Sequence, residues 1–582
     1  MKTFSYIEIR NKYLEFFKSK EHAEIPSASL VPENDPSVLF VNAGMFPLVP
    51  YLTGTPHPRG KRLVNSQRCL RTQDIDEVGD IDHCTTFEML GNWSLNDYFK
   101  KEAINLTMEF FVEELGIDIN RIYATVFKGK GDIPQDEESI NIWKEIFSKY
   151  GIDAKIGENE RIIPFEDNWW GLATGGPCGP DSEIFYKTDD GNLVEIGNDV
   201  FMQYLLKDGK YEPLGIHNVD FGGGLDRLAM ISQGVNSIFE TDIYKPILER
   251  VQSLNNVHDI KSERIVVDHI KAAPWIIMDG VEPSKNERGY ILRRLIRRAI
   301  RHAKTLGIEE LFTRKVGKVA IEQFSPVWNK LEKDREKILE ILEQEEIKFN
   351  KTIKEGLRKL EKIMKNEQID GKLAFTLYET YGFPIEMTIE ELEDKNIRFS
   401  KEKLLTDFDT ATKQHQEQSR TASKGMFKGG LADTSEMSTK YHTTTHLLLE
   451  ALRRVLGNQI RQKGANITPE RLRFDYNSEK KLTPEQIKKV EDIVNDQIKN
   501  NLPITYEVLP KKEAIEKVET AVFTEKYGDE VKVYYIGEKE NPFSIEICGG
   551  PHVENTGGLG TFRITKQKNV GAGIKRIKGV LE

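Results

Sequence analysis

The chain has little cysteine. Four residues, Cys69, Cys84, Cys178 and Cys548, are scattered along 582 positions. That spacing supports no disulfide framework and points to a reducing cytoplasm. Long hydrophobic runs are missing too. None approaches the roughly 20 residues that span a bilayer, so no membrane partner is expected. The N-terminal MKTFSYIEIRNKYLEFF reads as an amphipathic helix with acidic residues and lacks a signal-peptide core. Excess positive charge is absent as well: 83 basic residues face 93 acidic ones, for a net charge of -10. A nucleic-acid partner therefore needs a local basic face, because the global field repels phosphate. There is no internal repeat and no long low-complexity tract. The remaining composition, 38% hydrophobic and 30% charged, describes a soluble folded protein. Its length suggests roughly three to four domains, each able to bury its own core.

Residues 1–240 mix short strands with helices and are dense in Gly, Pro and aromatics. SVLFVNAG, RIYATVF and VFMQYLL read as strands there. From 241 to 415 the pattern is helical. Its longest element is expected near 328–365, where Ile338, Ile341, Leu342 and Phe349 recur at helical spacing. A polar stretch, QHQEQSRTASKGMFKGGLADTSEMSTK, reads as linker, placed at 416–437. An α+β block fills 438–582.

Within that last block two residue pairs stand out, His442-Thr-Thr-Thr-His446 and Cys548-Gly-Gly-Pro-His552. The first lies in a helical pattern, HTTTHLLLEALRRVLG, which sets both imidazoles on one face. The second follows the strand-like run SIEI and enters a Gly-rich loop. Either pair alone reads as satisfied core histidines or an inert buried thiol. Together they supply three nitrogens and one thiolate, a donor set suited to tetrahedral zinc. Thr443 stands where a zinc protease carries its general-base Glu, so peptide hydrolysis is disfavoured.

Three clusters in the first block are unusual: residues 65–93, 167–186 and 217–230. The glycine triplet Gly222-Gly223-Gly224 has no Lys-Ser or Lys-Thr after it and no dinucleotide-fingerprint spacing. Alone it reads as a tight turn before a helix. In combination, however, FVNAGM, RCLRT, FEMLGNW, TGGPCGPDSEIFY and VDFGGGLDR resemble the catalytic domain of a class II aminoacyl-tRNA synthetase of the alanyl family. The likeness continues through the helical region and the zinc block, so it covers nearly the whole chain. It implies a multidomain α+β protein: an antiparallel sheet with flanking helices, a helical tRNA-recognition domain and a zinc editing domain.

The resemblance also implies site residues. Bent ATP, carried with Mg²⁺, would be bound by Arg68 at the α-phosphate and by Arg227 on adenine and the γ-phosphate. Phe87 would cover the other adenine face, with the backbone of Gly222 and Gly224 close by. Asp220 would hold the alanine ammonium, and Trp170 and Val200 would wall a methyl-sized pocket. Outside this framework Trp170 and Phe87 read as core packing, and Asp220 as a turn or cap.

Residues 291–304, ILRRLIRRAIRHAK, resolve into two faces. Ile291, Leu292, Leu295, Ile296, Ala299 and Ile300 form the apolar one, and Arg293, Arg294, Arg297, Arg298 and Arg301 the basic one. A uniformly positive stripe in an acidic protein favours phosphate contact. In the family this region grips the tRNA acceptor stem and reads a G·U wobble pair. Two departures occur: Pro283-Ser284-Lys285-Asn286 replaces a PSN run, and Glu379 replaces Asp in YETYGFP. Asn286 and Glu379 are the expected readers of tRNA(Ala).

A pocket sized for alanine discriminates against glycine or serine by only about 10- to 200-fold. A second, hydrolytic site is the general remedy. The last block resembles the family's editing domain, with His442, His446, Cys548 and His552 matching its zinc quartet and Gln459 its pocket glutamine. Pro551 stands where the family has Thr. The linker is too short for the usual β-barrel, and the chain stops soon after the editing core, so a monomer with weaker tRNA affinity is expected. The overall expectation is an ATP-dependent alanine–tRNA ligase that also deacylates Ser- and Gly-tRNA. The alternatives are an editing hydrolase that has lost synthesis and a non-catalytic tRNA-binding paralogue.

Overall fold

The computed structural model of the protein describes residues 3–32, 38–171, 175–207, 209–366, 370–424, 435–478, 480–518, 530–571 and 573–582. The chain divides into two units, residues 1–369 with 376–399 and residues 370–375 with 400–582.

In the first unit the amphipathic N-terminus becomes α1 (Tyr6–Ser19). Ser5 accepts from the Glu8 N–H while the Glu8 carboxylate accepts from Ser5, a capping box that fixes the helix start. Nine strands then form one sheet: β1 (Ala23–Glu24), β2 (Arg62–Leu70), β3 (Thr86–Leu95), β4 (Ile122–Phe127), β5 (Ile162–Phe165), β6 (Trp169–Gly171), β7 (Gly176–Lys187), β8 (Leu193–Lys207) and β9 (Lys210–Gly224). Their order is β1-β2-β3-β9-β8-β7-β4-β5, with β6 beside β7. The β1–β2 and β4–β5 pairs are parallel and the others antiparallel. Near-continuous burial along β2 and β3 marks a sheet covered on both faces. The helices α2 (Lys100–Met108), α3 (Glu137–Lys149) and α4 (Leu225–Gln233) share this unit.

Two local expectations are corrected here. SVLFVNAG is not a strand. Ser37 lies outside the described residues, and 38–44 run as a loop in which Val41 pairs with Leu30 and Leu70. An apolar run of this length reports burial, which Phe40 and Val41 do show, and not a ladder. Nor is the glycine triplet a turn. Gly222, Gly223 and Gly224 finish β9 in register with Gly91, Leu90 and Met89. A Cβ at Gly222 would meet Met89 Sδ at 3.0 Å, and one at Gly223 the Phe221 ring at 3.1 Å. Close packing and not turn geometry favours glycine at 222 and 223, whereas a Cβ at 224 would have its nearest neighbours at 3.9 Å.

Helices follow: α5 (Ile260–Met278), α6 (Glu287–Thr305), α7 (Thr313–Phe324), α8 (Arg335–Asn366) and α9 (Ile385–Asp394). The long helix α8 buries Ile338, Leu342 and Phe349 on one side, following the expected period. The arginines of α6 do not form an exposed stripe, however. Arg294, Arg297, Arg298 and Arg301 are buried. Arg294 pairs with Asp76 at 2.5 Å and Arg297 with Glu345 at 2.6 Å. Arg298 pairs with Glu390 at 2.9 Å, and Arg301 with Glu391 at 2.7 Å and Asp394 at 2.6 Å. The expected phosphate contacts of Arg294 and Arg297 are therefore withdrawn; Arg293 alone keeps partial exposure. A single helix shows only its own charges, and the compensating carboxylates lie on segments remote in sequence.

Arg298 has two further partners. Its guanidinium also donates to the Ile75 carbonyl at 2.7 Å and lies 3.0 Å from His269 Nε2.

The second unit contains α10 (Lys401–Lys424), α11 (Glu436–Leu456), α12 (Pro484–Lys499) and α13 (Lys511–Lys517). Its first sheet joins β10 (Gln462–Thr468), β11 (Arg471–Asn477), β15 (Phe562–Gly571) and β16 (Ile574–Leu581) in the order β10-β11-β16-β15. The second joins β12 (Ile504–Pro510), β13 (Glu530–Ile536) and β14 (Ser544–Ile547) in sequence. Part of the expected linker is helix: α10 continues to Lys424, and α11 starts at Glu436 behind the Ser435 cap. Gln, Glu, Lys and Arg are strong helix formers, so polarity there did not mean loop. Residues 425–434 lie outside the described residues.

Replacing Arg298 by Met leaves the largely shielded Glu390 carboxylate with His302, at 3.1 Å, as its remaining charged partner. The expected loss is about 3–5 kcal/mol, read as a lower denaturation midpoint. Arg298→Lys restores charge without the planar fork and recovers only part of it. A midpoint unchanged by Arg298→Met would contradict this bracing role.

Candidate active site and metal centre

A small cavity opens in the first unit where β3, β8 and β9 meet the start of α4. Arg71, Phe87, Glu195, Gly222, Gly224 and Arg227 line it, with Asp82 and His83 at one side. The Arg71 guanidinium lies 5.0 Å from the centre of the Phe87 ring. Arg227, in the first turn of α4, is held by Asp82 at 3.3 Å and Glu195 at 3.2 Å. Two guanidinium groups, one aromatic face and a glycine floor suit a flat ligand that carries several negative charges. Asp74 also borders the cavity, and burial raises its carboxyl above the usual range.

Arg68 is not among the lining residues. It points away from the cavity, is buried, pairs with Asp279 at 3.1 Å and lies over the Trp328 ring at 5.2 Å. The expected α-phosphate role therefore does not fit Arg68. Arg71, three residues on and just past the end of β2, occupies the cavity instead. The motif RCLRT offered both arginines, and only the strand register separates them. Sequence reasoning also missed Asp82 and Glu195, which carry no signal of their own.

Asp220, Val200 and Trp170 are brought together. Asp220 on β9 faces Val200 on β8 and Trp93 on β3 in register. Trp170 packs against the apolar cluster that includes Val200, Trp93 and Met45. Asp220 is thus neither a turn nor a cap residue. Burial pushes its carboxyl up to about 7, and among the described residues no ion pair reaches it. Asp199 is raised to about 7 by the same cause; Thr107 donates to its Oδ1 at 3.4 Å, while Oδ2 is buried without a partner. A cationic group entering beside Asp220 would relieve an unfavourable buried carboxyl. Residues 172–174 of the neighbouring glycine-rich segment lie outside the described residues.

Asn286 immediately precedes α6 and is exposed, as is Glu379. Their segments meet: the Tyr378 hydroxyl donates to the Lys285 carbonyl at 3.3 Å, and its ring packs edge-on to Tyr290.

In the second unit, His442 and His446 project from α11 towards Cys548 and His552, which follow β14. The four ligand atoms lie within 4.8 Å of one another. Cys548 Sγ is 3.4 Å from His442 Nε2. His442 Nδ1 donates to the Pro551 carbonyl at 2.8 Å, which leaves Nε2 as the lone-pair nitrogen. Thr443 Oγ1 lies 3.2 Å from His552 Nδ1 and orients that ring in the same sense. The Nε2 atoms of His446 and His552 are buried and have no hydrogen-bond partner. Burial lowers His442 to about 4 and His446 to about 3, and it lowers His552 well below its usual value. Neutral rings with free lone pairs are what a metal requires. Burial raises the Cys548 thiol to about 11, so only a cation in contact would draw off its proton. The donor set fits zinc.

Gln459 does not join this cluster. It is exposed, and its amide donates to the Leu456 carbonyl at 2.7 Å, closing the end of α11.

The comparisons with known proteins reach both units, and the first family match runs across their boundary. Residues 8–470 match the model of class II (A) tRNA synthetases. Residues 531–578 match that of the threonyl and alanyl tRNA synthetase second additional domain. A protein of Treponema denticola named alanine–tRNA ligase is 47% identical over 100% of both chains. One of the same name from Treponema pallidum is 46% identical over 99% of this chain and 98% of its own. Another, from Borreliella afzelii, is 45% identical over 99% of each.

Proposed function

The chain belongs to the alanine–tRNA ligase family of class II synthetases, and from that premise we propose that its two sites make and proofread alanyl-tRNA. The observation that carries the synthetic half is the Arg71–Phe87–Arg227 cavity beside the Asp220 pocket.

ATP enters with Mg²⁺, its adenine between Phe87 and the Arg227 guanidinium and its α-phosphate at Arg71. Arg227 exchanges a carboxylate partner for phosphate as it does so. Asp220 takes the alanine ammonium, while Val200 and Trp170 limit the side chain to a methyl group. The alanine carboxylate attacks the α-phosphorus and pyrophosphate leaves. Arg71 offsets the charge that builds on the α-phosphoryl oxygens. The terminal ribose hydroxyl of tRNA(Ala) then attacks the adenylate carbonyl and AMP leaves. Asn286 and Glu379, with Arg293 at the rim, face the acceptor stem in this reading.

The functional division is 1–240 for aminoacylation, 241–415 for tRNA recognition, 416–437 for connection and 438–582 for editing. His442, His446, Cys548 and His552 would hold zinc, which supplies Lewis acidity and a fixed anchor for a misacylated 3′ end. Ser- and Gly-tRNA(Ala) are the substrates there. Gln459 has no part in this site. In this reading the enzyme is a monomer, and its four unbridged cysteines are in keeping with a reducing cytoplasm.

Alanine-dependent ATP–pyrophosphate exchange tests the proposal, with alanine expected ahead of glycine and serine. Arg71→Ala should lower kcat/KM for ATP by about 10²- to 10³-fold. Full exchange in that variant, or none in the unaltered enzyme, would overturn the assignment.

A pH dependence follows from Asp220. Below about 7 its carboxyl is neutral, so capture of an ammonium must first expel a proton. The KM for alanine should therefore fall as pH rises, by roughly tenfold per unit below 7, and level off above it. A KM flat between about pH 5.5 and 8 would contradict the role of Asp220.

A further inference from the structure

The β12–β13–β14 sheet of the second unit has two unlike faces. On one, Leu509, Val531, Val533 and Tyr535 close a small core with Ala514 and Val518. On the other, Tyr506 and Val508 on β12 stand opposite Tyr534 and Lys532 on β13. The alternation of a strand puts these four side chains on one surface. Tyr506 is 53% exposed and Val508 52%, although both sit in a regular ladder.

This surface begins at the His/Cys cluster. The Tyr534 ring centre is 4.3 Å from that of His552, and the Tyr506 ring centre is 5.2 Å from that of Tyr534. Lys532 Nζ lies over the outer ring at 4.4 Å. Three rings therefore run outward from the cluster to solvent, the last capped by a positive charge.

We propose that the exposed Tyr506, backed by the buried Tyr534, forms a stacking platform for the terminal bases of a single-stranded tRNA 3′ end whose aminoacyl ester lies at the His/Cys cluster. The proposal rests on the editing reading given above. An amino acid alone ends at the first ring. What continues outward from the ester of an aminoacyl-tRNA is a file of flat bases on an anionic backbone. Aromatic faces bind such bases whatever their identity, and Lys532 meets the backbone charge. Neither a bound amino acid nor a hydrolytic water explains aromatic exposure so far from the ligand atoms.

The test is deacylation of Ser-tRNA(Ala) by the full-length enzyme. Tyr506→Ala should raise KM about tenfold with kcat within about twofold of the unaltered enzyme. Tyr506→Phe should restore KM, because the ring and not the hydroxyl does the stacking. Lys532→Ala should raise KM and flatten its dependence on salt. Zinc content serves as the folding control, and Tyr506→Leu replaces Tyr506→Ala if the latter loses metal. If the unaltered enzyme deacylates Ser-tRNA but Tyr506→Ala and Tyr506→Leu keep its KM, the platform is wrong and the editing reading stands. If the unaltered enzyme does not deacylate at all, both fall. A change of oligomeric state in Tyr506→Ala, with KM unchanged, would assign the edge of β12 to self-association instead and overturn the proposal.

Discussion

A polar group removed from water must find a partner or lose several kcal/mol, and this requirement organises the whole chain. Most buried charges here are paired. Arg298 alone bonds Glu390, the Ile75 carbonyl and His269. His269 in turn bonds Asp268, which accepts from the Thr85 amide at 2.8 Å. Isolated unpaired atoms do occur, Trp275 Nε1 and Tyr476 Oη among them. At the His/Cys cluster two unpaired nitrogens meet beside a thiol, and a buried carboxyl without an ion pair lies at Asp220. Those are the places where the proposed ligands would complete the chemistry.

The paired charges also shape the first site. Ile75 and Asp76, which receive Arg298 and Arg294, belong to the turn that follows Arg71. Lys271 bonds the Thr86 carbonyl and the Tyr244 hydroxyl, and that hydroxyl donates to Asp226 beside Arg227. Both walls of the cavity are therefore tied to α5 and α6. Groups held in this way need little reorganisation when phosphate charge develops, which is how preorganised electrostatics lower a barrier. The buried arginines of α6, Arg294 and Arg298, thus brace that cavity from behind.

How much of this was legible in the sequence depended on the range of the signal. The His/Cys cluster was readable because each pair is local and the donor types are unusual together. The period of α8 was readable because one face repeats for 32 residues. The register of β2 was not, and so Arg68 stood in for Arg71. The carboxylates opposite α6 were equally hidden, since Glu345, Glu390 and Glu391 come from other helices. Gly222 to Gly224 misled because glycine marks close packing as readily as a turn. The Tyr506–Tyr534 file was invisible for a related reason: β12 and β13 pair across residues far apart in the chain.

Synthesis and proofreading then follow from two differently built pockets. In the proposed reading the first is walled by Val200 and Trp170, and a methyl-sized pocket of that kind cannot reject serine or glycine strongly. The second is a buried set of neutral imidazoles and one thiol whose donors fit zinc. Zinc K-edge X-ray absorption on the full-length protein tests that claim most directly. The account predicts one zinc per chain with three nitrogens at about 2.0–2.1 Å and one sulfur at about 2.3 Å. Protein purified from zinc-replete medium without zinc, or with a sulfur-free shell, would contradict it.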